Sequence, residues 1–138
     1  MTIQLDGRGV TINDVVAVAR RHELVELTPS AIERMSAARA IVEQLAEGAP
    51  KYGITTGFGA LATVSIPHDR RRALQLALIR SHAAGMGDPV EEEVVRAMVL
   101  LRARTLALGN SGARPRVAQA MVDILNAGIT PIVPEYGS

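Results

Sequence analysis

Apolar residues recur at helical spacing along most of this chain, and glycine or proline interrupts each run. Such runs predict amphipathic helices, because residues three and four apart lie on one helical face. The clearest run follows Thr28 and Pro29, which suit the cap and first position of a helix. Its predicted apolar stripe comprises Ile32, Met35, Ala38, Ile41, Val42 and Leu45. The pattern predicts a mainly α fold.

Four further helices are predicted, over residues 12–21, 67–84, 89–108 and 114–126. The third of these is apolar almost all round, which predicts burial between other helices. Residues 2–5 and 23–27 predict one or two short N-terminal strands that pair with each other. Residues 49–66 lack a helical period and contain three glycines in one short stretch, so a loop is predicted there. The tail after Gly128 is predicted to be non-helical and partly strand-like.

Composition excludes several classes of function. The chain of 138 residues has a net charge of +1, which argues against nucleic acid as a partner. It contains no cysteine, so disulfides and thiolate sites are absent. No signal pattern or long uncharged apolar stretch is present, and we expect a cytoplasmic protein without a membrane partner. Only three aromatic residues occur, so an aliphatic core is predicted.

Two of those aromatic residues, Tyr52 and Phe58, flank a glycine-rich loop that ends at Gly59. Glycine permits positive φ and close backbone approach, which suits either a structural turn or a binding loop. A phosphate-binding P-loop is excluded, since Lys51 precedes the glycines and no Lys-Ser or Lys-Thr follows them. A phenol serves as a general base where positive potential lowers its pKa from about 10. Tyr52 is therefore a candidate catalytic residue.

Ser81 and His82 stand near the end of the helix predicted over residues 67–84. A histidine at a helix end serves as a cap, a core group or a catalyst. The three histidines are far apart in sequence, so no metal site is predicted. The basic run Arg70–Arg72 is predicted to be a solvated face. The apolar tail before Ser138 is an unusual end for a domain, and we expect a longer polypeptide.

Four blocks occur in order along the chain, and together they resemble the histidine, phenylalanine and tyrosine ammonia-lyase and aminomutase family. They are YGITTGFG at 52–59, RSHAAGMG at 80–87, GNSGARP at 109–115 and LNAGITPIVPEYGS at 125–138. The resemblance covers residues 1–138 and is strongest after Lys51. It implies that these residues are the N-terminal domain portion of a longer, mainly helical enzyme that assembles as a homotetramer.

The resemblance also implies a prosthetic group, 4-methylideneimidazole-5-one (MIO), formed by cyclisation of an Ala-Ser-Gly tripeptide. We expect that tripeptide just after Ser138, outside this chain, so the segment alone is expected to be inactive. Tyr52 matches the family's base, which removes the β-proton of the substrate. His82 matches a position that contacts the substrate side chain, with Ser81 before it, and Gly59 and Leu61 match the loop that shapes the pocket.

The substrate implied is an aromatic amino acid. Ser81-His82 and the tail favour L-histidine, converted to urocanate and ammonia. Thr55 stands where many histidine enzymes carry Asn, and Ala77 where relatives often carry an amide; these departures leave open a tyrosine or phenylalanine lyase or aminomutase. A third reading, from a different class, is an inactive helical fragment that serves in assembly.

Overall fold

The computed structural model describes residues 2–137. Within them lie five α-helices, four short strands and one 3-10 turn, which confirms the predicted mainly α fold. In chain order they are β1 (Ile3–Leu5), α1 (Ile12–Arg21), β2 (Val25–Leu27), α2 (Pro29–Ala46), the 3-10 turn (Gly59–Leu61), α3 (His68–His82), β3 (Met86–Pro89), α4 (Glu92–Ala107), α5 (Pro115–Asn126) and β4 (Pro134–Tyr136).

The predicted N-terminal strands form a two-stranded parallel sheet. Leu5 pairs with Leu27 and Ile3 with Val25, and the side chains of Leu5, Val25 and Leu27 are buried. Parallel strands need a crossover connection, which α1 supplies. The pairing of β1 with β2 is thus confirmed.

Helix α1 begins where the sequence predicts it to begin. The Asp14 backbone N–H donates to the Thr11 hydroxyl oxygen at 3.2 Å, and the Thr11 N–H donates to the Asp14 carboxylate at 2.9 Å. This reciprocal capping box satisfies two N–H groups that the helix cannot satisfy itself. The bond from the Thr11 N–H, with a second from its hydroxyl, holds the pKa of Asp14 below its usual value.

The hydrophobic core is aliphatic, as the composition predicts. Helix α4 packs between α1 and α5 and also contacts α2 and β1. No aromatic or isoleucine side chain among residues 2–137 is fully buried. The core comprises Leu5, Val18, Val25, Leu27, Ala31, Met35, Leu100, Ala103, Leu106, Ala107, Ala118, Val122 and Leu125.

One charged side chain, Arg96 of α4, lies inside this core and is 1% exposed. Its guanidinium donates to the Val18 carbonyl at 3.1 Å, near the end of α1, and to the Leu125 carbonyl at 3.3 Å, near the end of α5. Helix C-termini carry partial negative charge, so both ends favour the cation. The His22 N–H donates to Ala17 instead of Val18, which leaves the Val18 carbonyl to Arg96. The arginine therefore joins three helices.

Several predicted boundaries and faces differ in the structure. Helix α3 ends at His82 instead of Ala84, and β3 follows at Met86–Pro89. The sequence did not indicate this strand. Helix α4 consequently begins at Glu92 instead of Pro89. Of the apolar stripe predicted on α2, only Met35 is fully buried, whereas Ile41 is 59% exposed. Helical spacing shows which apolar residues share one face of a helix, but not which part of the protein packs against that face.

Helix α3 has no buried residue, and Leu76 and Ile79 on it are 48% and 66% exposed. On α4, which is predicted to be buried all round, Val94, Met98 and Leu101 are also exposed. Within residues 2–137 the core thus covers only part of the apolar surface. In the same part of the chain, no helix combines the length and apolarity needed to span a membrane.

Replacement of Arg96 by Met is expected to destabilise the fold, because it leaves the buried Val18 carbonyl without a donor. An unsatisfied buried acceptor costs about 1–3 kcal/mol. Urea unfolding followed by far-ultraviolet circular dichroism measures the loss. Arg102→Met, on the exposed side of the same helix, is the control; equal midpoints for the two variants would contradict the role of Arg96.

Candidate active site

The predicted loop between α2 and α3 is closed on itself by hydrogen bonds. The Lys51 carbonyl accepts from the N–H groups of Ile54, Thr55 and Thr56 at 3.1, 3.0 and 3.3 Å. The Thr55 hydroxyl oxygen accepts from the Lys51 N–H at 2.8 Å. The Thr55 carbonyl in turn accepts from the Ile66 N–H at 2.8 Å, which joins the two ends of the loop. Both threonines are buried, so they hold the loop in one shape.

Tyr52 stands at the surface of this loop and is 64% exposed. Its ring meets the Phe58 ring edge to face, with centroids 5.9 Å apart and planes at 83°. Gly53 between them has a φ of +69°, and a Cβ there would lie 3.1 Å from the Phe58 ring. Glycine at 53 therefore permits both the turn and the ring contact that positions Tyr52.

Gly59 and Leu61, the predicted pocket residues, form the 3-10 turn of the same loop. A Cβ on Gly57 would lie only 2.6 Å from the Leu61 Cβ, so the close packing of Leu61 requires glycine at 57. Leu61 is nevertheless 49% exposed. The structure thus brings Tyr52, Gly59 and Leu61 together on one exposed loop.

Ser81 and His82 occupy the last turn of α3. The Leu78 carbonyl accepts from the Ser81 hydroxyl and from His82 Nδ1, both at 2.8 Å. A carbonyl oxygen only accepts, so in the neutral ring Nδ1 carries the proton and Nε2 the lone pair. The helix end therefore sets the orientation and the tautomer of His82.

The segment that follows His82 pairs with the tail of the chain. β3 and β4 run antiparallel with Met86 opposite Tyr136, and the Val90 N–H donates to the Val133 carbonyl at 2.9 Å. These strands belong to two of the four sequence blocks, RSHAAGMG and LNAGITPIVPEYGS. Met86 and Tyr136, which are 50 residues apart in sequence, thus lie opposite each other.

Glycines allow β4 to lie close to β3 and to the residues before it. A Cβ on Gly85 would lie 2.6 Å from the Pro134 Cγ, so a larger residue at 85 would displace the proline. Gly137 has a φ of +92°, and a Cβ on it would lie 3.0 Å from the Ala84 carbonyl oxygen. The described end of the chain therefore lies against residues that follow His82 almost immediately. Helical and strand periodicity cannot show such a contact.

The candidate residues fall into two exposed groups, one on the loop around Tyr52 and one at the end of α3 around His82. Within residues 2–137, no three histidine, aspartate or glutamate side chains come together as a metal site would require. In the basic run, Arg70 and Arg72 are exposed as predicted. Arg71 is only half-exposed and donates to the Ile66 and Ala46 carbonyls at 3.2 and 3.0 Å.

Residues 10–138 match the family model described as aromatic amino acid lyase. The chain belongs to this family. Histidine ammonia-lyase from Streptomyces griseus is 55% identical over 138 residues, which are 99% of this chain and 27% of that relative. This aromatic amino acid lyase chain therefore spans about a quarter of the length of such relatives.

Solved structures of the aromatic amino acid lyase family share the fold. Tyrosine aminomutase from Streptomyces globisporus superposes with a TM-score of 0.93 at 37% identity, over all of this chain and 26% of that one. Histidine ammonia-lyase from Trypanosoma cruzi superposes with a TM-score of 0.89 at 36% identity, over all of this chain and 27% of that one.

Replacement of Gly85 by Ala is expected to loosen the β3–β4 pair, because the new methyl group overlaps the Pro134 ring. Overpacking costs about 1–3 kcal/mol, which corresponds to roughly fivefold to hundredfold faster hydrogen exchange at the Val90 amide. Gly48→Ala is the control, since a Cβ there meets only the Leu45 carbonyl oxygen at 3.8 Å. Unchanged exchange in the Gly85 variant would disprove the steric argument.

Proposed function

We propose that this chain is the N-terminal domain portion of an ammonia-lyase that eliminates ammonia from L-histidine to give urocanate. The observation that carries the proposal is the β3–β4 pair, which holds Gly137 against the residues just after His82. An Ala-Ser-Gly tripeptide just beyond Ser138 would begin beside this contact. Ser138 itself lies outside the described residues.

The residues at this end of the chain fit the family's electrophile. A Cβ on Gly85 would overlap the Pro134 ring and one on Gly137 would crowd the Ala84 carbonyl, so glycine at both positions lets the two segments approach closely. When formed, MIO supplies the electrophile that holds the substrate's amino group as a leaving group. The other proposed roles, those of the base, of substrate recognition and of pocket shape, belong to residues of this chain.

Tyr52 is proposed as the base that removes the β-proton of the substrate. That proton is weakly acidic, so its removal needs a base held in position as well as an activated leaving group. The Phe58 ring and the turn at Gly53 hold the phenol at the loop surface. Its hydroxyl makes no hydrogen bond within residues 2–137, which leaves it available to a substrate.

His82 is proposed to recognise the side chain of the substrate. Because its Nδ1 donates to the Leu78 carbonyl, the lone pair of the neutral ring is on Nε2, which is the ring's acceptor. The imidazole N–H of histidine and the phenol O–H of tyrosine are donors that suit this acceptor, whereas phenylalanine has none. Ser81 supports the arrangement through the same carbonyl, and Gly59 and Leu61 are proposed to shape the pocket.

The alternative proposal is a tyrosine or phenylalanine lyase or aminomutase. It is favoured by the superposition on tyrosine aminomutase and by the buried Thr55-Thr56 pair, which stands where many histidine enzymes carry Asn-Thr. The high identity to histidine ammonia-lyases supports L-histidine as the first choice.

We also propose that the complete protein is a cytoplasmic homotetramer. The exposed apolar side chains of α3, among them Leu76 and Ile79, support the view that further protein surface covers them. The remainder of the same polypeptide and other subunits would then complete the site around Tyr52 and His82.

Replacement of Tyr52 by Phe in the complete protein is expected to lower kcat by about 10²–10⁴-fold, because a general base is lost. The change removes one hydroxyl from an exposed ring and should leave the fold intact. Urocanate absorbance with L-histidine measures the rate.

A Tyr52 variant within tenfold of the parent would refute its role as the base. A parent that turns over L-tyrosine but forms no urocanate from L-histidine would establish the alternative instead.

Replacement of His82 by Leu is expected to change substrate preference more than the maximal rate on an accepted substrate. The variant loses the ring nitrogen that accepts a hydrogen bond, so it no longer favours substrates whose side chains carry an N–H or O–H donor. The ratio of kcat/KM for L-histidine to kcat/KM for L-phenylalanine should therefore fall by at least about tenfold. The same measurement on His68→Leu, at the other end of α3, is the control. An unchanged preference would show that His82 only ends the helix.

A further inference from the structure

Arginines are concentrated in one groove, and the proposed function gives these arginines no role. A concave surface of about 630 Å³ lies between α2, the loop at Gly53 and the start of α3. A second groove of about 350 Å³ adjoins it and shares two of its arginines. The basic residues that line the two are Arg39, Arg71, Arg72, Arg114, Arg116 and His68. We call this surface the arginine groove.

The arginine groove is positively charged although the chain is nearly neutral. Glu43 is the only acidic residue among those that line it. Glu43 Oε1 lies 2.8 Å from Arg39 Nε and 3.6 Å from Arg114 Nη2, so one carboxylate pairs with two guanidinium groups. The hydrogen bond from Arg39 and the nearby charges hold the pKa of Glu43 below its usual value, and Glu43 is therefore already ionised. A surplus of positive charge remains.

Three of the arginines, Arg71, Arg72 and Arg116, have no carboxylate partner within residues 2–137. Arg72 makes no hydrogen bond or ion pair within residues 2–137. Arg71 donates to two carbonyl oxygens, of Ala46 and Ile66, and these bonds hold the side chain in place without neutralising its charge. An arginine fixed in this way loses little entropy when it binds an anion.

Two helices begin at the same groove and add to its positive potential. His68 is the first residue of α3, and Arg114 is the residue immediately before α5. Neither helix has a side-chain cap. The Arg70 and Val117 N–H groups donate to the Pro67 and Arg114 carbonyls at 2.9 Å, which leaves the earlier N–H groups of His68, Asp69 and Arg116 to be satisfied. Helix N-termini favour phosphate and other oxyanions.

We propose that the arginine groove is a binding site for a phosphate group, carried by a small molecule or free as inorganic phosphate. Guanidinium groups bind phosphate oxygens in pairs, and several of them around one concavity suit a dianion better than a single carboxylate. Nucleic acid fits poorly, because no phenylalanine, tyrosine or tryptophan lines the groove to stack on bases. The proposal is independent of the lyase reaction.

Isothermal titration calorimetry on the complete encoded protein tests this site. The titrants are inorganic phosphate and glycerol 3-phosphate at constant ionic strength, with sodium chloride as the blank. Arg72→Gln should weaken phosphate binding at least about tenfold, since a charge-assisted hydrogen bond is lost. Its melting temperature should not change, because Arg72 has no partner in the described fold.

Arg102→Gln, an exposed arginine on α4 away from the groove, should bind phosphate like the parent. Tighter binding of inorganic phosphate than of the ester would assign free phosphate as the ligand, and the reverse order would assign a phosphate ester. The proposal is overturned if phosphate releases no more heat than the chloride blank. An acidic segment of the complete protein that fills the groove would give this result. Equal losses in the two variants would also overturn it.

Discussion

The buried guanidinium of Arg96 is the interaction on which the arrangement of helices depends. It lies where α1, α4 and α5 meet and donates to carbonyls at the ends of two of them. Its Nη1 has no hydrogen-bond partner within residues 2–137, so the site tolerates an imperfectly satisfied charge. A buried cation is costly unless negative potential surrounds it, and here two helix C-termini supply that potential. Packing by aliphatic side chains alone would not set the positions of the helix ends so closely.

That core supports a peripheral region whose shape depends on glycines and threonines. Thr55 and Thr56 close the loop that presents Tyr52, and Gly85 lets β4 lie against the residues after His82. The core and the candidate site are thus built by different means. Apolar burial holds the first, whereas hydrogen bonds and close backbone contacts hold the second. Substitutions in one are therefore expected to leave the other largely unaffected.

Local signals in the sequence predicted most of the elements. The caps at Thr11 and Thr28 placed the starts of α1 and α2, because a side-chain oxygen acts on an N–H only a few residues away. The strand β3 was missed, since its four residues Met86–Pro89 lack alternation and are held by β4, far along the chain. Ile41 was expected to be buried and is exposed, because periodicity does not show which surface lies opposite.

The sequence by itself determined the mainly helical class, the aliphatic core, the family and the identity of the candidate residues Tyr52 and His82. These follow from the order of residues along the chain, through helix spacing, caps and motif blocks. Only the tertiary structure decided that Gly137 lies beside Ala84, that the Leu78 carbonyl sets the tautomer of His82, and that Arg72 and Arg114 line one groove. Such contacts join residues distant in sequence or depend on side-chain geometry, and their energies appear only once the helices have packed.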